Sequence, residues 1–268
     1  MKVAAVLISA FAVAGNAAAE ESFPEWRITL GAGGVYAPAY EGDDAYRLSI
    51  VPNVEVSYGD RFDASFQNGA RYRLVNTPAL RLGPIGRVKF SRAEDGQQTF
   101  AVGGEDTDDL RGLGDVDTSI ELGLFAEYEV SNLTLTAEAR QAVSGHEDWV
   151  ADLGARWRGR SEMFGRGVSW SAGPRARFVG DEYNEAYFGV NALQAAASGL
   201  AVFDAAGGLH SYGFGASAVT PLTAEGQWAL VAIAGYDVLA GDAADSPLVR
   251  ERGRAEQATL GLVLSRRL

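Results

Sequence analysis

Apolar and polar residues alternate one for one along most of this chain. The clearest case lies at its C-terminal end. Trp228, Leu230, Ala232, Ala234, Tyr236 and Val238 hold every second position of one run, and Ala258, Leu260, Leu262 and Leu264 those of the last. Successive side chains of a β-strand point to opposite faces, so this period marks strands with one apolar face. Sustained over about ten residues it is the pattern of a transmembrane β-strand. The polar stretch from Ala240 to Gly253 reads as the loop between the two runs. A final run that reaches the C-terminus is expected to close a barrel by pairing with the first strand.

Working along the chain, strands are expected over Trp26–Tyr36 and Tyr46–Tyr58, joined by a loop that contains Pro38 and Gly42. Arg61–Val75 reads either as one strand or as a short hairpin turning at Asn68-Gly69. Leu80–Arg92 reads as a strand bulged or broken at Gly83-Pro84. In the middle, Ile120, Leu122, Leu124, Ala126 and Tyr128 alternate with polar and small residues up to a turn at Ser131-Asn132. Leu133, Leu135, Ala137 and Ala139 follow, then Trp149 to Trp157, then Val168, Trp170 and Ala172, and later Tyr212 to Ala218. Trp149 and Trp157 share one face, where two interfacial aromatic girdles would fall. Bacterial barrels have an even strand count. Splitting Arg61–Val75 makes the count about twelve, with ten as the alternative.

Two stretches break the alternation. Ala93–Asp117 is acidic and glycine-rich and reads as a long solvated loop; it offers oxygen ligands suited to calcium but lacks EF-hand spacing. Within Glu182–Ala205, Asn191 and Gln194 form a capping-box pattern and Gly199 a stop, which predicts a short helix over or inside a barrel mouth. Tyr187, Phe188, Val190 and Leu193 give that segment an apolar side.

At the N-terminus, Lys2, the apolar run Val3–Ala14 and Ala17-Ala18-Ala19 form a signal-peptide pattern. Residues 1–19 are therefore expected to be removed on export, leaving a single barrel domain over 20–268. A net charge of −12 argues against nucleic-acid binding. The absence of cysteine excludes disulfides and thiolate metal sites. A soluble antiparallel sandwich or lipocalin-like barrel shares the same alternation.

If the apolar faces meet lipid, Glu121, Glu127, Glu129 and Glu138 point into the lumen from two neighbouring strands, and Arg156, Arg158, Arg175 and Arg177 from the next two. They read as a salt-bridged lumen filling or, functionally, as the charged wall of a narrow pore for polar or zwitterionic solutes. An enzyme is not expected. The two histidines lie in polar stretches that read as loops, and Ser144, His146, Glu147 and Asp148 are too close in sequence to converge as a catalytic triad. No cofactor motif is present.

Four segments in order carry a family resemblance: Tyr36–Gly42, Leu110–Asp115, Tyr187–Val190 with Gln194, Ser198, Gly199 and Leu200, and Gly241–Arg250 before the final strand. Together they resemble the MipA/OmpV family of outer-membrane proteins. The resemblance implies an integral β-barrel in the outer membrane of a Gram-negative cell, in contact with outer-membrane lipids. It implies a non-enzymatic scaffold for peptidoglycan-processing enzymes, a lytic transglycosylase and a murein synthase. It also admits a permeability role. No catalytic or cofactor residue is implied. Such barrels usually end in an aromatic residue, whereas this chain ends Ser265-Arg-Arg-Leu268, a weaker insertion signal.

Overall fold

The computed structural model describes residues 25–98, 100–163, 165–224 and 226–268. The expected signal peptide lies outside them. All strands belong to one antiparallel sheet. Twelve of them form a closed ring: β1 (Trp26–Pro38), β2 (Tyr46–Tyr58), β3 (Phe62–Ser65), β4 (Gly69–Tyr72), β6 (Leu80–Lys89), β8 (Ser119–Val130), β9 (Leu133–Ala142), β10 (Trp149–Met163), β11 (Arg166–Val179), β12 (Gly208–Pro221), β13 (Trp228–Leu239) and β14 (Glu256–Arg267). Two short segments supplement the ring: β5 (Val75–Asn76) pairs with β6, and β7 (Ala101–Gly104) with β2. Closure is made by β14 on β1, from Thr29 opposite Arg267 to Tyr36 opposite Leu260. The twelve-strand count follows from the hairpin of β3 and β4, which turns over Phe66–Asn68.

The alternation read from the sequence is the alternation of the wall. Leu122, Leu124, Leu135, Leu153, Leu260 and Leu262 are exposed on the outside. Glu121, Phe125, Glu127 and Arg140 are buried inside. Aromatic side chains gather at two levels of the outer face. Trp26, Tyr58, Tyr128, Trp157 and Trp228 ring the end that holds the C-terminus and the short turns, and Tyr36, Trp149, Tyr212 and Tyr236 the other. Aliphatic residues fill the belt between, as the hydrocarbon and its two interfaces require. Arg266, also outward, lays its guanidinium over the Trp228 ring at 5.6 Å.

Three expectations about the segments between and within the wall strands are corrected first. β6 is not broken at Gly83-Pro84, since its ladder with β8 is continuous from Leu80 to Lys89. The break falls on the opposite neighbour, between β4 and β5. Proline has no N–H to give there, and a Cβ at Gly83 would lie 1.8 Å from the Tyr72 carbonyl oxygen. The acidic loop between β6 and β8 is not wholly irregular: its β7 continues the wall above the short β3–β4 hairpin, where Phe66 stacks on Phe90 and meets Phe100 edge-on. The loop from 240 to 255 is also structured, as α3 (Gly241–Asp245) and α4 (Pro247–Arg252).

The remaining helices are α1 (Asp181–Phe188) and α2 (Ala192–Ser198). The expected capping box at Asn191 and the left-handed Gly199 bound α2. Leu193 does not join an apolar side; it is 83% exposed. None of the described helices is long and apolar enough to cross a membrane.

The phase of the wall can be tested with one pair of variants. Leu124→Arg places a charge on the lipid face near mid-strand, at about 2–4 kcal/mol. Thr136→Arg points into the lumen. Gel mobility before and after heating should show much less folded Leu124→Arg than Thr136→Arg.

Candidate functional site: a charged lumen beneath a helical cap

The inward positions enclose a cavity of about 1150 Å³. On one side its wall is ionic. Glu129 pairs with Arg158 at 2.5 Å and Arg81 at 2.6 Å. Glu127 meets Arg71 at 3.0 Å, Arg81 at 3.5 Å and Arg156 at 3.7 Å. Glu138 pairs with Arg87 at 2.8 Å and with Arg140 at 2.6 Å. Arg140 is almost completely buried and also holds Glu121 at 2.8 Å and Asp152 at 2.6 Å. Asp152 continues the chain to Arg177 at 2.8 Å, and Arg175 pairs with Asp237 at 2.5 Å. Acid and base therefore interlock along the wall from β4 to β13. The opposite wall is mixed: Val35, Ile233 and Val263 are buried among polar inward residues of β1, β2 and β14 such as Thr29, Asn53, Thr259 and Ser265.

All eight charges singled out in the sequence lie in this array. Their partners Arg71, Arg81, Arg87, Arg140, Asp152 and Asp237 were not singled out. Arg81, Arg87 and Arg140 share the inward phase of their strands, so strand parity was the available signal. Pairing across strands was not, because it depends on register.

The end away from the C-terminus is capped. Tyr183, Tyr187 and Phe188 of α1 pack with Val150, Val179 and Leu239 from the strand ends and with Ala243 and Val249 of α3 and α4. Leu110, Leu113, Val190, Leu200, Leu248 and Tyr40 form a second apolar cluster. Ser246 Oγ donates to the Phe188 carbonyl at 2.6 Å, and Gln194 Nε2 to that of Leu113 at 2.6 Å.

Beneath this cap a polar strut crosses the barrel. Glu41, in the β1–β2 loop, accepts from Lys89 Nζ on β6 at 3.3 Å and lies 2.9 Å from His210 Nε2 on β12. Those two strands are five positions apart one way round the ring and seven the other. Lys89 also donates to the Tyr183 hydroxyl at 2.5 Å, and Arg177 stands 3.9 Å from Glu41. Burial alone would raise the Glu41 carboxyl; Lys89, His210 and Arg177 outweigh it and hold it well below the ordinary range. His210 is thus a strand residue of the strut and not a loop residue. His146, expected in a polar loop, is buried 3.2 Å from Glu121. Ser144 Oγ binds main-chain groups of Thr118 and Ile120 and not the imidazole.

A closed antiparallel barrel with an apolar belt, two aromatic girdles and an ionic interior defines an outer-membrane β-barrel protein. Residues 30–268 match the family model described as MltA-interacting protein MipA, and the chain belongs to that family. No curated protein matches significantly. Among solved structures, an outer-membrane channel from Pseudomonas putida F1 is similar at 13% identity and TM-score 0.46, over 96% of this chain and 100% of that one. CdiB from Acinetobacter baumannii is similar at 8% identity and TM-score 0.32, over 91% and 60%.

Two outcomes follow. Asp152→Ala leaves Arg140 and Arg177 short of a partner. The loss approaches about 3 kcal/mol, reduced by lumen water at the quarter-exposed carboxylate. The heat-modifiable band should disappear at a lower temperature. Glu41, with its folded pKa depressed, contributes cap stability in full above 4.5, and loses it as pH falls through the lower folded value. Protease protection of the cap loops should hold from about pH 7 to about pH 5 and fail only below about pH 4.

Proposed function

We propose that this protein is a non-enzymatic scaffold of the outer membrane that docks peptidoglycan-processing enzymes, a lytic transglycosylase foremost, at its periplasmic end. The family is described by its interaction with MltA, and the cap is the observation that carries the reading. Two apolar clusters and a cross-barrel strut fill one mouth, so the folded form is built for rigidity before passage. The capped end faces outwards and the short turns face the periplasm, following the long-loop asymmetry of such barrels. The signal peptide at 1–19 is cleaved, leaving 20–268. The β10–β11 hairpin runs beyond the level of the β8–β9 turn, with exposed Arg160, Glu162 and Met163, and offers a docking arm on the periplasmic side.

A second reading, a narrow channel, is favoured by one observation: the cavity runs from Arg27 and Arg267 at the short-turn end to Tyr40 and Tyr187 under the cap. In it, Glu127, Glu129, Glu138, Arg156, Arg158, Arg175 and Arg177, which line the cavity, would select polar solutes; Glu121, expected with them, is instead buried against Arg140 and His146 and does not line it.

Two measurements separate these readings. The purified barrel should retain a lytic transglycosylase from solubilised envelopes, and shortening 160–167 should abolish capture without changing heat-modifiability. Planar bilayers should show no steady conductance. Steady single-channel currents with no capture would make the channel the better reading. A tag inserted after the exposed Val202 should be reached on intact cells. The α3–α4 segment is unsuited to a tag, because Ala243, Leu248 and Val249 are buried.

A further inference from the structure

The cap holds a group of acids separate from the lumen array. Asp43 and Asp44 lie in the β1–β2 loop, and Asp109 in the long loop before β8. One carboxylate oxygen of each lies within 4.8 Å of the others. Like charges at this spacing repel, and more strongly where water is excluded. Among the described residues none of the three is ion-paired. Two arginines of the cap donate to main-chain carbonyls, although Arg92 Nε is itself buried and unbonded. Arg252 donates to the carbonyl oxygens of Asp109 and Ser198, and Arg92 to those of Tyr187 and Ala186.

Two buried oxygens at this place lack a partner. Asp43 is wholly buried; its Oδ1 accepts from the Ala45 N–H at 2.9 Å, while Oδ2 is sealed from solvent and unbonded. Tyr40 is only 7% exposed, and its phenol oxygen is sealed and unbonded too. That phenol sits in the field of all three carboxylates, and burial, reinforced by Asp43 and Asp109, pushes its pKa far up. Thr107 lies beside both Asp43 and Asp109, but it has one hydroxyl proton, and its well-formed bond goes to Asp109 Oδ2 at 3.1 Å. A native fold rarely leaves such oxygens buried and unmatched; the acceptor-only Asp43 Oδ2 points to a missing electropositive partner, and the Tyr40 hydroxyl oxygen has lone pairs free to face the same partner.

We propose that Asp43, Asp44 and Asp109, together with the Tyr40 phenol oxygen, form a calcium site that fastens the β1–β2 loop to the long loop before β8. The donors are all oxygen, with no imidazole or thiolate, which selects a hard cation over zinc or copper. They come from irregular loops, and Asp44 is exposed, so water can complete the irregular shell of six to eight oxygens that calcium accepts. Three carboxylates in surface loops match the affinity class of extracellular modules, about 0.1–1 mM. With one oxygen of each within 4.8 Å of the others, the three carboxylates repel one another. The ion replaces that repulsion with attraction and ties the two loops on which the second apolar cluster of the cap depends.

The test uses the full barrel, refolded in detergent free of lipopolysaccharide. Terbium luminescence, excited through tyrosine, should rise to saturation and be displaced by calcium. Asp44→Asn and Asp109→Asn should each weaken binding about tenfold or more, whereas Asp204→Asn, at an exposed position elsewhere in the cap, should leave it unchanged. All three should keep wild-type heat-modifiability, since Asp44 and Asp109 are not part of the wall. Calcium at about 2 mM should also slow proteolysis between 90 and 118 in the wild type, relative to chelator, and not in Asp44→Asn. Equal terbium binding by all variants, or proteolysis indifferent to calcium in the wild type, would overturn the site.

Discussion

Hydrocarbon offers no hydrogen-bond partner, so every backbone amide at membrane depth must be matched by another strand. The rest of this structure depends on that constraint. It forces the last strand back onto the first, and β14 meets β1 over eight residue pairs. Close approach along this seam requires glycine: a Cβ on Gly33 would sit 2.3 Å from the Leu262 carbonyl oxygen. Closure then separates two solvents. Each strand must show apolar residues to one and polar residues to the other, which is why the period of two runs through nearly the whole chain.

Inside the ring the same geometry creates a different problem. Twelve strands enclose a volume too small to hydrate many separate charges fully, so carboxylates and guanidiniums are placed on neighbouring strands where register brings them together. Arg140, held by Glu121, Glu138 and Asp152, is the extreme case. Removing a partner is costly because the remaining charge cannot reach bulk water. The strut of Glu41, Lys89 and His210 applies this logic across the lumen and ties the cap to opposite walls. The cap is in turn a small apolar core, assembled from loops that could not each bury a hydrophobic face alone.

The wall was legible in the sequence because strand parity is local. Leu122 and Glu121 declare their faces by position alone, and the hairpin at Asn68-Gly69 and the helix stop at Gly199 declare themselves by turn chemistry. What escaped was set by distance in the chain. Pro84 looked like a defect of its own strand, but the gap it matches lies between β4 and β5. The partners of Glu127 lie 56 and 46 residues before it and 29 after, and only the register assembles them. His210 looked like a loop residue because Gly207-Gly208 precedes it, yet the strand begins at Gly208. The short helices α3 and α4 carry few apolar residues, and their burial comes from the cap they join.

The central claim is that β14 closes the barrel on β1 in the stated register. The chain has no cysteine, so an introduced pair reports without background. Ala32→Cys and Leu264→Cys are directly opposite and share the outer face. In folded protein from outer-membrane fractions, a short bifunctional thiol reagent should join them within one chain, and a loop-tightened species should run faster on denaturing gels. Pairing Ala32→Cys with Leu262→Cys, two positions along β14, should give far less. Cross-links only between chains, or equal yields for both pairs, would contradict the closed ring on which the fold, the lumen and the cap all rest.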